Sequence, residues 1–362
     1  MLLIKKGKNM QQIRDTSFDA LKGVAIIAVV AIHSIGYSLM NPKFEPDLWS
    51  YYLVIACRQL LNFAVPVFIF ISGYWTPTNI SSGKEYGAFL KKRIPRVLIP
   101  YMFWSLIILA IFSFTGQDLH FREILTKLIT GGAIGPYYFV ILIIQLYLLT
   151  PLIQITDSKI YGIISIFLIN LFSLLSLYVL RLHQHTDIPL QNYALPFYSW
   201  IIFYEVGRLM RRNEEKIFDK KDSYIIISGV IAGIIFSIFE AKILLLKYDN
   251  FEFAVSALKF SSFIYSISII FAFMYLREFI KEWPQFLVRI GDRSFGIYLI
   301  HAPLIYIVAS IIRNIYFFNL FHPFQLTYSF FIAIISLSIS YMSITICQRV
   351  FSDSFCKKIL GF

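Results

Sequence analysis

The sequence predicts an all-α integral membrane protein of about ten transmembrane helices, with both termini cytoplasmic, on three observations. Hydrophobic residues fill 58% of the 362 positions and charged residues only 15%. The mean hydropathy of +0.69 is a balance that water-soluble domains do not carry. Apolar segments of about 18 to 24 residues recur along nearly the whole chain, each long enough to cross roughly 30 Å of hydrocarbon as a helix. Most of the 33 lysines and arginines fall in alternate connections, and basic residues are retained on the cytoplasmic side.

The expected spans are 17–39, 53–74, 98–115, 137–155, 159–180, 195–210, 224–243, 256–276, 294–313 and 326–348, the sixth being the shortest. A basic segment, residues 1–16 with Lys5, Lys6, Lys8 and Arg14, precedes the first. That first stretch is too long for a signal-peptide core and lacks a small-residue cleavage site, so it reads as a retained span. The connections "SSGKEYGAFLKKRIPR" and "RLMRRNEEKIFDKKD" are strongly charged and expected to be cytoplasmic, whereas those near 40–52, 116–136, 181–193 and 244–255 are mixed. Without fixed-period repeats or low-complexity linkers, a single polytopic unit is expected over 17–350, followed by a cytoplasmic tail, 351–362. The net charge of +12 is then a topology signal, and no stretch mixes basic and aromatic residues as a nucleic-acid module would. Cys57, Cys347 and Cys356 are odd in number and give neither a disulfide framework nor a metal spacing.

Ionisable groups within spans are costly and mark functional candidates. On a helix, Asp19, Lys22, Ile26, Val30, His33 and Tyr37 fall in one stripe roughly 80° wide. Asp19, Lys22 and His33 are therefore expected to address one cavity, with Lys22 about 16 Å below His33. A lone membrane histidine can equally bond a neighbouring helix, and Lys22 can be a snorkelling anchor. Arg58, near Gln59 and Asn62 in the second span, can face a reacting centre or pair with an acid such as Glu205. Ser72 can line a cavity or merely cap its helix. His301 has a structural reading, bonding another helix, and a sharper one, lining a donor channel. His183 and His185 are two apart without a third ligand nearby, which is weak grounds for a metal site, and His120 and His322 read as loop residues.

The stretch "FDALKGVAIIAVVAIHS" resembles the first-helix signature of the membrane-bound acyltransferase 3 family, in which an acid and a basic residue precede a histidine eleven positions past the base. Four further stretches resemble that family in order: "FAVPVFIFISGYW", "FLKKRIPRVLIPY", "GPYYFVILIIQLYLLTPLI" and "GDRSFGIYLIHAPLI". Two positions depart from it. Many members carry Arg where this chain has Lys22. The branch that acylates O-antigen or peptidoglycan has Glu-x-Gln-Phe-Tyr where this chain has Ile143, Ile144, Gln145, Leu146 and Tyr147, so the chain looks more like the branch acting on enterobacterial common antigen and exopolysaccharides. An appended extracytoplasmic domain, carried by some members, is not expected.

The resemblance implies transfer of an acyl group, usually acetyl, from cytoplasmic acyl-coenzyme A to a sugar hydroxyl of a surface or cell-wall glycan, in a bacterial cytoplasmic membrane. Acetyl-CoA or another acyl-CoA is then a co-substrate rather than a bound cofactor, and no metal is called for. The expected partners are that donor, a glycan or lipid-linked saccharide, and the bilayer. Lys92, Arg93 and Arg96 can hold the donor's phosphates, with His301 lining the donor path, although ordinary positive-inside anchoring explains the same loop and suits Lys91 better. Imidazole titrates close to neutral pH, so His33 can take the hydroxyl proton or carry the acyl group itself. Asp19 and Lys22 would pair or serve the donor path, and Arg58 could stabilise an oxyanion. Tyr138, Gln145 and Tyr147, with Ser72 and Glu205, are the remaining cavity candidates. Two other function classes compete: a transporter or flippase for a lipid-linked saccharide, which inverted repeats or paired broken helices would favour, and a scaffold in a glycan-synthesis complex.

Overall fold

The computed structural model describes residues 15–39, 48–157, 160–184, 186, 188–213, 218–315 and 325–362. Lys5, Lys6, Lys8, Arg14, His185 and His322 lie outside the described residues. In chain order the helices are α1 (Ser17–Leu39), α2 (Leu48–Leu60), α3 (Ala64–Tyr74), α4 (Gly83–Phe114), α5 (Phe121–Thr130), α6 (Tyr138–Asp157), α7 (Ile160–Leu182), α8 (Leu190–Ala194), α9 (Ile201–Arg212), α10 (Ser223–Leu246), α11 (Phe251–Ala254), α12 (Phe260–Phe279), α13 (Gln285–Asp292), α14 (Ser294–Arg313) and α15 (Gln325–Val350). Among the described residues there is no strand, and nine helical segments are long and apolar enough to cross a membrane. The protein is an all-α integral membrane protein. Outward faces of α7 and α10 carry exposed Phe172, Ile225, Ile235 and Phe239, surface that hydrocarbon accepts.

Three segments depart from the expected spans for identifiable reasons. The second is two helices, because residues 61–63 form a turn between α2 and α3, and Pro66, near the start of α3, has no N–H to return to the Asn62 carbonyl. The third starts well before position 98: the Ser82 hydroxyl accepts from the Glu85 amide at 3.2 Å, an N-cap that carries the helix through the expected basic connection and across Pro95 and Pro100. Arg93 and Arg96 therefore sit on a helix. The sixth does not span, because the chain turns extended at Pro196 (ψ 140°) and residues 197–199 form a tight turn before the twelve-residue α9. Side chains satisfy this irregular backbone, as membrane depth demands. Asn170 donates to the Tyr198 carbonyl at 3.0 Å, and Trp200 to that of Ala194 at 2.8 Å.

The first span is the hub. α1 packs against α3, α13, α14 and α15, and most of its residues are buried. Its crossing with α13 is so close that a Cβ on Gly291 would lie 1.7 Å from the Asp19 carbonyl oxygen, and one on Gly23 2.2 Å from that of Leu287. This contact seats the start of α1, where Asp19 and Lys22 lie, beside the start of α14.

Backbone cannot yield as a flexible side chain does, so Gly291→Ala should destabilise the fold by about 1–3 kcal/mol, the usual cost of overpacking. Thermal unfolding in detergent checks this, with Gly87→Ala, whose added Cβ meets nothing within 4 Å, expected to hold or slightly raise the midpoint, since Ala favours helix over Gly. Equal midpoints for the two variants would contradict the close crossing.

Candidate active site

Two cavities flank the middle of α1. The first, about 320 Å³, is reached by His33 and Tyr37 from α1, the 134–136 loop, Tyr306 and Arg313 from α14, and Tyr328 from α15. His33 is half-buried, and Tyr37 meets Tyr306 edge-on at 5.5 Å. The cavity is walled by aromatic rings and carries one guanidinium, Arg313, among its described lining residues.

The second, about 480 Å³, is basic. Lys22, Arg93, Arg96 and Lys357 line it together with Ser72 and Tyr147. Lys22 pairs with Asp19 one helical turn earlier at 2.6 Å, and Arg93 donates to the Trp75 carbonyl at 2.5 Å. The Ser72 hydroxyl donates to the Phe68 carbonyl at 2.9 Å and also bonds the Tyr147 side chain, which lies in the field of Arg93 and Arg96.

Lys22 and His33 thus open into different cavities, and the single cavity expected from their shared stripe is corrected. The intervening positions explain why: Ile26 and Val30 are 0% and 1% exposed, packed shut against the neighbouring helices.

A thin layer of rings separates the two spaces. Tyr298 borders the basic pocket, while its hydroxyl donates at 2.7 Å to the carbonyl of Pro136, a residue of the aromatic cavity. Pro303 has no N–H for the Leu299 carbonyl four residues before it, and the Tyr137 hydroxyl donates to that freed oxygen instead. Two phenols therefore pin the 135–137 turn onto α14. Behind Tyr298, at 6.0 Å between ring centres, lies His301, and the His33 ring is 5.3 Å from His301.

The other sequence candidates divide. Arg58 donates to Asn62 at 2.7 Å and lies within electrostatic reach of His33 and of Tyr138; it does not pair with Glu205, which instead faces Arg208 at 3.8 Å. Glu205 and Gln145 line neither cavity. Gln145 clamps the broken sixth segment, donating to the Leu195 carbonyl at 3.1 Å and accepting from the Phe197 amide at 3.0 Å. Lys92 is exposed and outside the basic pocket. Tyr138 is half-buried beside the ring layer but borders neither space. His301, fully buried, does not line the basic pocket either.

Sequence reasoning missed Arg313 and the tail. A chain end resembles a floppy appendage in one dimension, yet Trp104 donates to the Leu360 carbonyl at 3.1 Å, and the Phe362 ring lies against Trp104 and over Gly296. Lys357 reaches the basic pocket from there. The Lys357-Lys358 pair followed by aromatic Phe362 was the available signal.

Among curated proteins, the chain is 24% identical over 297 residues to a Bacillus subtilis protein named "Putative membrane-bound acyltransferase YfiQ", covering 78% of each. It is 25% identical over 193 residues to a Staphylococcus aureus protein named "Probable poly-beta-1,6-N-acetyl-D-glucosamine export protein", covering 51% of this chain and 53% of that one. It is also 28% identical over 144 residues to the "Nodulation protein NolL" of Sinorhizobium fredii, covering 38% and 36%. No solved structure matches the chain. The family model described as "Acyltransferase domain" matches residues 15–342, a range that contains His33, three of the four pocket cations (Lys22, Arg93 and Arg96) and the ring layer between the two cavities, and the chain belongs to that membrane acyltransferase family.

Proposed function

We propose that this membrane acyltransferase moves an acyl group, acetyl in the simplest case, from an acyl-coenzyme A in the basic pocket to a saccharide hydroxyl in the aromatic cavity. The observation that carries the reading is the pairing of spaces: cations gather on one side of a single ring layer, and His33 opens on the other. Coenzyme A is polyanionic, and Lys22, Arg93, Arg96 and Lys357 present a point-charge and fork array suited to its phosphates. Its flexible pantetheine arm would bring the thioester past Tyr298 toward His33.

His33 would then remove the hydroxyl proton as the oxygen attacks the thioester carbonyl. Arg58, within electrostatic reach of His33 and fixed by Asn62, would balance the negative charge that forms on that carbonyl oxygen. Collapse expels the thiolate, which takes the proton back from His33. Attack of His33 itself on the thioester, giving an acyl-imidazole, uses the same geometry.

For the acceptor, the aromatic walls of the first cavity supply flat apolar faces and tyrosine hydroxyls of the kind a sugar ring meets. The saccharide in the name of the S. aureus relative supports that class. The positive-inside pattern supports a cytoplasmic basic pocket with both termini on the same side, in a bacterial cytoplasmic membrane, with residues 17–350 acting as one polytopic unit. The word "export" in that name favours a conduit as second reading, and the rings that stand between the two cavities argue against free passage of a sugar.

His33→Ala should lower acyl transfer by about 100-fold or more, the usual worth of a general base, with normal protein level. Mass spectrometry of surface glycans reads this, and unchanged acylation would remove the assignment. Replacing Arg93 or Arg96 with Ala should raise the donor KM about 10- to 100-fold, as expected for a charged hydrogen bond worth about 1.5–3 kcal/mol, with kcat nearly unchanged. Lys91→Ala should leave both constants in place. A fall in kcat at constant donor KM would show that these arginines do not hold the donor.

A further inference from the structure

His301 is completely buried, and both of its ring nitrogens can be read from their surroundings. Nδ1 lies 2.7 Å from the Tyr298 carbonyl and 3.2 Å from that of Ile297. Both neighbours only accept, so Nδ1 carries the proton and donates. The neutral ring then holds its lone pair at Nε2. That atom is buried and has no hydrogen-bond partner among the described residues. An orphaned acceptor of this kind is rare in a folded interior and calls for a reason. The neighbouring ring is His33, 5.3 Å away between centres and inclined at 50°, a separation that an N–H···N bond between two imidazoles spans after a small rotation.

We propose that His301 is the positioning residue of the reaction: its Nε2 accepts the N–H of His33, fixing the tautomer in which the other His33 nitrogen is bare. The inference rests on His33 being the base of the acyl transfer. As the acceptor oxygen bonds to the thioester carbonyl carbon, its proton passes to the bare nitrogen of His33. The positive charge on His33 is then shared through its second N–H with His301, whose own proton stays on Nδ1, donated to the Tyr298 carbonyl. When the C–S bond breaks, the proton leaves His33 for the thiolate, and both rings return to their starting tautomers. No proton is gained or lost. Among the described residues, the groups facing the pair are Arg58 from α2 and Tyr298 from α14. Neither is an acid that could orient His33 in the way a carboxylate orients a base elsewhere, and a second imidazole fills that place.

Two substitutions separate this role from a structural one. His301→Asn keeps a side-chain N–H near the backbone carbonyls and removes the acceptor aimed at His33. His301→Gln reaches further and keeps an acceptor oxygen there. With the full chain in liposomes, acetyl-CoA as donor and a saccharide that the unaltered protein acetylates, the Gln variant should keep kcat within about fivefold. The Asn variant should lose about 100-fold or more, the scale seen when a base loses its orienting partner, and neither should change the donor KM. A role confined to bracing α14 gives the opposite order, and a place in the donor path gives a KM effect; either result overturns the proposal. Carbethoxylation of His33 by diethyl pyrocarbonate, followed by mass spectrometry, reads the same residue without any acyl acceptor. His33 should react fastest in the unaltered protein, nearly as fast in the Gln variant and markedly slower in the Asn variant, and equal rates in all three would also overturn it. If the unaltered protein transfers no acyl group at all, the proposed function fails, while the order of carbethoxylation still decides the contact between the two histidines.

Discussion

Two phenol hydroxyls keep the two cavities of this protein apart. Tyr298 on α14 bonds the Pro136 carbonyl, and Tyr137, beside that proline, bonds the Leu299 carbonyl that Pro303 leaves open. The exchange is reciprocal and buried. In hydrocarbon-like surroundings each unpaired backbone carbonyl is expensive, so the turn and the helix hold one another in place. Under the proposed acyl transfer, that partition would let a polyanionic donor enter from one direction and a sugar from another.

The rest of the bundle serves that partition. The close crossing of α1 with α13 places Asp19 and Lys22 at the rim of the basic pocket, and the same helix, three turns later, places His33 in the aromatic one. The capped N-terminus of α4 extends a helix into what would otherwise be a loop, and so aims Arg93 and Arg96 at one space. Gln145 and Asn170 hold the broken segment before α9. Polar side chains there stand in for the hydrogen bonds that a regular helix would have made for itself.

Much of this was legible in the sequence because it follows from local periodicity. Runs of apolar residues mark the long helices, and an i, i+3 spacing brings Asp19 to Lys22 and Arg93 alongside Arg96. Periodicity failed where distant parts of the chain decide the outcome. The stripe from Lys22 to His33 looked continuous, but Ile26 and Val30 are sealed by neighbouring helices. Gln145 read as a cavity residue because it is polar in an apolar span, and its amide proved to be occupied by backbone two helices away. Lys357 and Arg313 come to their cavities from ends of elements, where no spacing rule announces a destination. The orphaned nitrogen of His301 is invisible in a sequence, since only the positions of two carbonyl oxygens reveal its tautomer.

The central claim is that donor and acceptor meet at one histidine after entering from opposite faces. Sealed vesicles containing uniformly oriented protein test it directly, with radiolabelled acetyl-CoA confined to the basic-pocket side and a soluble saccharide acceptor confined to the other. Label should appear on the saccharide, with free coenzyme A left on the donor side. Transfer that occurs only when both substrates share one side of the membrane would contradict the two-cavity account.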